Sequence, residues 1–131
     1  MWLRSLFSVL LPVLGISASE KGDALESVAP LAAALSDSDP GTFIAALPRD
    51  APNIDELRNN VRALIAQAIV TSSVEVIRGG SGEAELDWYL EIKSRATGMI
   101  IEARRGTVRI RHEGRKLRAI SPASHFAPPK P

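Results

Sequence analysis

The period of apolar and polar positions changes once along the chain, and that change divides it into two parts. Between residues 23 and 36 the apolar residues Leu25, Val28, Leu31, Ala32 and Leu35 recur at spacings of three, three, one and three. Such spacings line one face of a helix. Pro30 falls inside this stretch and predicts a kink or a first turn there. Ser36-Asp37-Ser38-Asp39-Pro40 ends the helix and starts another, with Asp39 as N-cap and Pro40 as the first helical residue. Phe43, Ile44 and Leu47 belong to that short second helix. After a loop at residues 48–52, Asn53 is expected to cap a third helix running to about residue 68. Asp55 and Glu56 in its first turn complement the helix dipole. Leu57, Val61, Leu64, Ile65 and Ala68 make its apolar stripe.

Beyond that point the period becomes two. Residues 71–78 are rich in Val, Ile, Ser and Thr and read as a strand, and Gly79, Gly80 and Gly82 turn the chain. Leu86, Trp88, Leu90 and Ile92 alternate with Asp87, Tyr89, Glu91 and Lys93, the pattern of a half-buried strand. Ala96-Thr97-Gly98 breaks the chain before a third strand at residues 99–112. Glu113-Gly114 suits a tight hairpin into a last strand at residues 116–124, with Pro122 at an edge or at the strand's end. Helices first and strands after predict an α+β fold: three N-terminal helices packed on a curved four-stranded antiparallel sheet. The Pro-rich tail, residues 127–131, cannot pair and reads as an exposed extended end.

The N-terminal residues MWLRSLFSVLLPVLGISASE have a different character. Arg4 gives a positive start, residues 6–16 form an apolar run, and Ser17, Ala18 and Ser19 supply small residues for cleavage. That order is a signal peptide. The apolar run is too short for a membrane-spanning helix, which takes about 20 such residues. The chain is therefore divided into a signal peptide at 1–19, a domain at 20–126 and the tail, and is expected to be exported, periplasmic or secreted, after cleavage near Ser19.

Composition narrows the chemistry. Cysteine is absent, which excludes disulfides, thiolate metal sites and cysteine nucleophiles. Two histidines, His112 and His125, are too few for a histidine-rich metal site. The chain has sixteen basic and fifteen acidic residues, and loss of Arg4 with the signal balances them.

The domain resembles the nuclear transport factor 2-like superfamily, whose members include ketosteroid isomerases and polyketide-cyclase-type proteins. The resemblance rests on the break Leu35-Ser36-Asp37-Ser38-Asp39-Pro40-Gly41-Thr42-Phe43 between two helices and on the strand Glu85-Leu86-Asp87-Trp88-Tyr89-Leu90. The hairpin of residues 107–121 and the closing Ser124-His125-Phe126-Ala127-Pro128-Pro129 complete it, so that it covers about residues 24–129. It implies a cone-like α+β domain that serves as enzyme, binder or dimerisation module. Residues 47–53 are too few for the extra strand or hairpin that many members carry, which implies a shallow mouth. Aromatic residues, at 5%, are sparse for a ligand-binding cone.

An isomerase of that superfamily needs a general-base carboxylate and oxyanion donors facing inward. Asp87 and Tyr89 have the right chemistry, but alternation puts them opposite Leu86, Trp88 and Leu90. His112 follows Val108 and Ile110 at spacing two, which allows an inward position near a hairpin end, but it reads first as a half-exposed turn histidine; His125, beside Phe126, reads as packed or exposed. No metal-ligand spacing joins either histidine to an acid. Gly79-Gly80-Ser81-Gly82 is neither a nucleophile elbow nor a phosphate loop, since no helix follows and no Lys-Ser/Thr completes it. Charge is uneven: residues 102–118 hold seven basic residues, Arg104, Arg105, Arg109, Arg111, Arg115, Lys116 and Arg118, against Glu102 and Glu113. They are candidates for an anionic partner, although the lack of interleaved aromatics argues against nucleic acid.

These readings converge on an exported, non-enzymatic domain that binds a small apolar ligand or a protein, or forms a homodimer through its sheet. An isomerase- or cyclase-like enzyme and an electrostatic binder using the basic hairpin are the alternatives. No catalytic residue, cofactor, metal or mature membrane contact is expected. Phe43, Leu57, Val61, Trp88 and His112 are the candidate pocket lining. Export has a direct readout: N-terminal sequencing of protein from the extracytoplasmic fraction is expected to begin near Glu20, and an intact, cytosolic Met1 product contradicts it.

Overall fold

A computed structural model of the chain describes residues 18–130. The expected signal segment lies outside these residues except for Ala18 and Ser19, which open the first helix. Helices α1 (Ala18–Ser36), α2 (Pro40–Ala45) and α3 (Ile54–Gln67) precede strands β1 (Ala68–Gly80), β2 (Glu83–Ser94), β3 (Ile100–Glu113) and β4 (Lys116–Ser121). A 3₁₀ turn, Ala123–Phe126, closes the order. The strands form one open antiparallel sheet in the order β1-β2-β3-β4. The fold is therefore the expected α+β arrangement, with helices before sheet.

α1 starts at Ala18, earlier than the apolar stripe suggested, and runs through Pro30. A proline inside a helix costs about 3 kcal/mol or more. The cost is offset because Ala24, Val28, Leu31, Ala34 and Leu35, on both sides of it, are fully or nearly fully buried, while Pro30 itself faces solvent. Asp39 caps α2 as expected, its carboxylate accepting from the Thr42 N–H at 3.1 Å. The Thr42 bonds hold that carboxyl below its ordinary pKa. Asn53 corrects an expectation. It stands at the N-cap of α3 in the left-handed conformation, φ 58°, without a side-chain cap, and only its carbonyl engages the helix, accepting from the Leu57 N–H.

β1 follows α3 without a loop. Ala68, read as the end of the helix, is extended and pairs with Ser94 of β2. The β1–β2 hairpin turns on Ser81 and Gly82, with φ of 56° and 81°. Positive φ at both central residues matches the right-handed twist of the paired strands. The last strand stops at Ser121 and does not reach residue 124. Pro122 cannot donate to a ladder, and the chain turns inward there instead.

The inner face of the sheet and the helices share one core. Ala84, Leu86, Trp88, Leu90 and Ile92 of β2 all point into it, as the alternation required, and Val108 and Ile110 extend it on β3. The 3₁₀ turn fills the middle: Phe126 lies edge-on to Trp88 at 5.1 Å and to Phe43 of α2 at 5.3 Å. Gly106 pairs with Trp88 across β2–β3. A Cβ there would stand 3.0 Å from Nδ1 of His125. The His125 ring is tied to the Trp88 carbonyl at 2.9 Å and cannot retreat. Gly106→Ala is accordingly expected to cost about 1–3 kcal/mol, the range for overpacking a filled core. Urea unfolding measures it, and an unchanged midpoint would show that the ring yields.

Candidate functional site

Three regions hold the polar chemistry: the inner face around the C-terminal turn, the outer face of the sheet, and the end of the sheet at the β1–β2 and β3–β4 hairpins. On the inner face Glu102 and Arg104 share the side of β3 that faces Ile92 and Leu90. Arg104 donates to the carbonyls of His125, at 2.9 Å, and Ala127, at 2.7 Å. Its Nε reaches Glu102 at 2.7 Å. That bond holds the Glu102 carboxyl below the usual carboxylate range, partial burial opposing it. Asn60 of α3 donates to the Ala123 carbonyl at 2.9 Å. These groups pin the chain's last residues across the sheet.

The four expected pocket residues Phe43, Leu57, Val61 and Trp88 are 0–1% exposed and pack in the core. The two described clefts include none of them in their walls. His112, the fifth, does line one cleft, and its Nδ1 lies 2.8 Å from the Gly114 carbonyl. Sequence reasoning placed His125 beside Phe126 but gave no sign that its Nε2 would reach back to Trp88.

The outer face carries Glu85, Asp87, Tyr89, Glu91 and Lys93 on β2, opposite the buried set. Asp87 and Tyr89 are not apart from their neighbours. Arg105 approaches Asp87 at 3.7 Å and lies over the Tyr89 ring at 5.3 Å, while the Tyr89 hydroxyl donates to Glu91 at 3.3 Å. Arg78 and Arg109 share Glu85, at 3.2 and 3.6 Å. One corner differs. Ile69, Met99, Ile100 and Ile101 are 39–69% exposed, and Ile69 and Ile100 both pair with Lys93.

The seven basic candidates are therefore spread over several surfaces. Arg104 is turned inward, Arg105 and Arg109 lie in the outer rows, Arg115 reaches Glu26 of α1 at 2.8 Å, and Arg118 reaches Glu113. Lys116 is exposed. Arg111 is exposed and makes no ion pair among the described residues. It lies in the walls of both clefts, of about 870 and 570 Å³. Among the described residues no group of His, Asp and Glu could hold a metal ion, and no helix is long and apolar enough to cross a membrane.

No family model matches the chain, and no curated protein matches it. Among solved structures it is similar to a protein of unknown function with a cystatin-like fold from Nostoc punctiforme. Identity is 19%, the match covers 82% of this chain and 96% of that one, and the TM-score is 0.58. The likeness shows the fold alone.

His125 gives this region a pH dependence. Burial, with the nearby Arg104 charge, holds its pKa below the usual 6.5, against the opposing pull of the Trp88 carbonyl and of Asp87. The unfolded chain therefore takes up the proton first as pH falls. The contribution of this group is complete above the unfolded value and is lost as pH falls toward the folded one. Between about pH 7 and about pH 5 the urea midpoint is expected to drop further in the wild type than in His125→Gln. Equal drops would remove His125 as the cause.

Proposed function

We propose that the chain is an exported, non-enzymatic domain of the nuclear transport factor 2-like kind that acts through its surface, pairing with a second copy by the outer face of its sheet. The observation that carries the reading is the exposed apolar corner of Ile69, Met99, Ile100 and Ile101; Ile77 of β1 is the other large apolar side chain left exposed among the described residues. Clustered large apolar side chains left in water are a mark of an interaction surface. The aliphatic and aromatic packing of the interior, and the engagement of Asp87 and Tyr89 with their neighbours, support a non-enzymatic role.

Charge favours a second copy as the occupant. The outer positions of β2 form an acidic row, Glu85, Asp87 and Glu91, beside the basic row Arg105, Arg109 and Arg111 of β3. A two-fold interface must be complementary to itself. Two such faces related by an axis along the strands lay each acidic row on the other copy's basic row and bring the two apolar corners together. An axis across the strands sets acid on acid. Sedimentation of the purified protein is expected to report a dimer, and Ile101→Glu a monomer with an unchanged circular dichroism spectrum. A wild type that stays monomeric at its highest soluble concentration overturns the reading.

A further inference from the structure

β1 is an edge strand of the open sheet, paired with β2 on one side only. It is 13 residues long, whereas strands most often run to about five or six. An exposed edge is a template for another chain, and proteins commonly blunt it with lysine, proline, a short length or a bulge. β1 holds neither lysine nor proline, and its one bulge, at Ile77, comes near its end. Among the described residues, no main-chain hydrogen bond joins residues 69–77 to any element but β2.

The sequence of this edge is close to a palindrome. Outward from Ser73, residues 72 and 74 are Ser and Val, 71 and 75 are Thr and Glu, 70 and 76 are both Val, and 69 and 77 are both Ile. Antiparallel pairing of two copies about a two-fold axis at Ser73 sets each residue against its counterpart. Val70 meets Val76 on the inner side, where both are already buried, so the inner layer of one copy continues into that of the other. Thr71 meets Glu75 on the outer side, and no like charges oppose each other. A centre at Glu75 would set Glu on Glu. The bulge limits the ladder to residues 70–76, and Ile77, 49% exposed, comes beside Ile69 just beyond it. The layer above is compatible. The Ala32 carbonyl of α1 accepts from the Ser72 hydroxyl at 3.5 Å, which puts that flank of the helix over β1. At helical spacing the flank continues through Leu25, Ala29 and Ser36 and carries no charge.

We propose that β1 joins the same strand of a second copy, edge to edge, about a two-fold axis at Ser73, making the two four-stranded sheets one continuous sheet. A two-fold contact must be complementary to itself, and this edge is. The contact is separate from the outer-face pairing and does not rest on it, because the face pairing lays β1 over the partner's β4, away from the partner's β1. Its ladder is short and covers little apolar surface beyond Ile77. It is therefore the weaker association, formed above the concentration at which Ile101→Glu sediments as a monomer.

The chain has no cysteine, so one introduced thiol reports on one position. In the paired edge the two Ser73 Cα atoms stand about 4.5–5.5 Å apart, within the disulfide range of about 4.4–6.8 Å. Ser73→Cys, purified and oxidised at its highest soluble concentration, is expected to give a linked dimer on a non-reducing gel. The link is expected to form equally with Ile101→Glu added. Ser73 is exposed, so the variant is expected to keep the wild-type circular dichroism spectrum. Thr71→Cys, about 13 Å along the strand from its counterpart, is expected to stay unlinked over the same time, and Thr71→Cys with Glu75→Cys to link. Pure Ser73→Cys that stays unlinked overturns the proposal and leaves the edge to a different chain. Thr71→Cys linking as fast overturns the register, and loss of the Ser73 link on adding Ile101→Glu overturns the proposal by assigning the link to the outer face. Sedimentation of Ile101→Glu tests the face pairing separately.

Discussion

The arrangement depends on Phe126. A residue near the end of the chain sits between the central strand and the second helix, edge-on to both Trp88 and Phe43. Such aromatic pairs contribute about 0.5–1.5 kcal/mol each beyond the area they bury. Their larger effect is topological, because they join the helical part of the sequence to the sheet through a segment belonging to neither. The polar groups around the turn keep it in place. Asn60 takes the Ala123 carbonyl, His125 takes the Trp88 carbonyl, and Arg104 takes two carbonyls at the turn's exit. Each also satisfies a main-chain group that would otherwise be costly in a buried setting.

Filling the interior in this way limits where chemistry can occur. Residues that an open cone would present to a ligand, Trp88 and Phe43 among them, are spent on the C-terminal turn. Even the inward polar pair of β3, Glu102 and Arg104, is spent on it. What remains for recognition is the outer face, the β1 edge and the hairpin end. The first and last differ in kind: the outer face is an open sheet face with rows of charge and an apolar corner, and the hairpin end holds the two clefts. An open face suits a macromolecular surface, whereas a cleft suits a small molecule.

Much of the fold could be read from local chemistry. The alternation through Leu86, Trp88, Leu90 and Ile92 predicted which side of β2 is buried, and with it the outward position of Asp87 and Tyr89. Asp39-Pro40 marked a helix start because its signal is local. The features that escaped are set by distant partners. The continuation of α1 through Pro30 depends on packing that no propensity records. Arg104 looked like one of seven exposed cations, because a polar residue at an inward position has no sequence mark until its partners, His125 and Ala127, are known to lie above it. Phe43, Leu57, Val61 and Trp88 are apolar groups that suit a cavity lining and a closed core equally, and no local pattern shows that Phe126 occupies the space between two of them. Its one signal was an aromatic residue shortly after Pro122, beyond the last alternating segment.

The apolar corner follows from the same geometry. Residues along β3 alternate, so Ile100, two-fold in phase with Val108 and Ile110, would belong to the inner set on an unbroken strand. The register shifts opposite Ile92 and Lys93, where Ile101 is the additional residue, and Ile100 comes to pair with the outward Lys93. A second shift between Val76 and Arg78 leaves Ile77 as the additional residue on β1, 49% exposed. A bulge places a side chain where alternation would not; at these two the additional residue is an isoleucine, among the least favourable side chains to leave in water, and at a third shift, between Arg111 and His112, it is Arg118 of β4. The shift opposite Ile92 and Lys93 thus turns Ile100 from the inner set to the outer face beside Lys93, where it is 53% exposed.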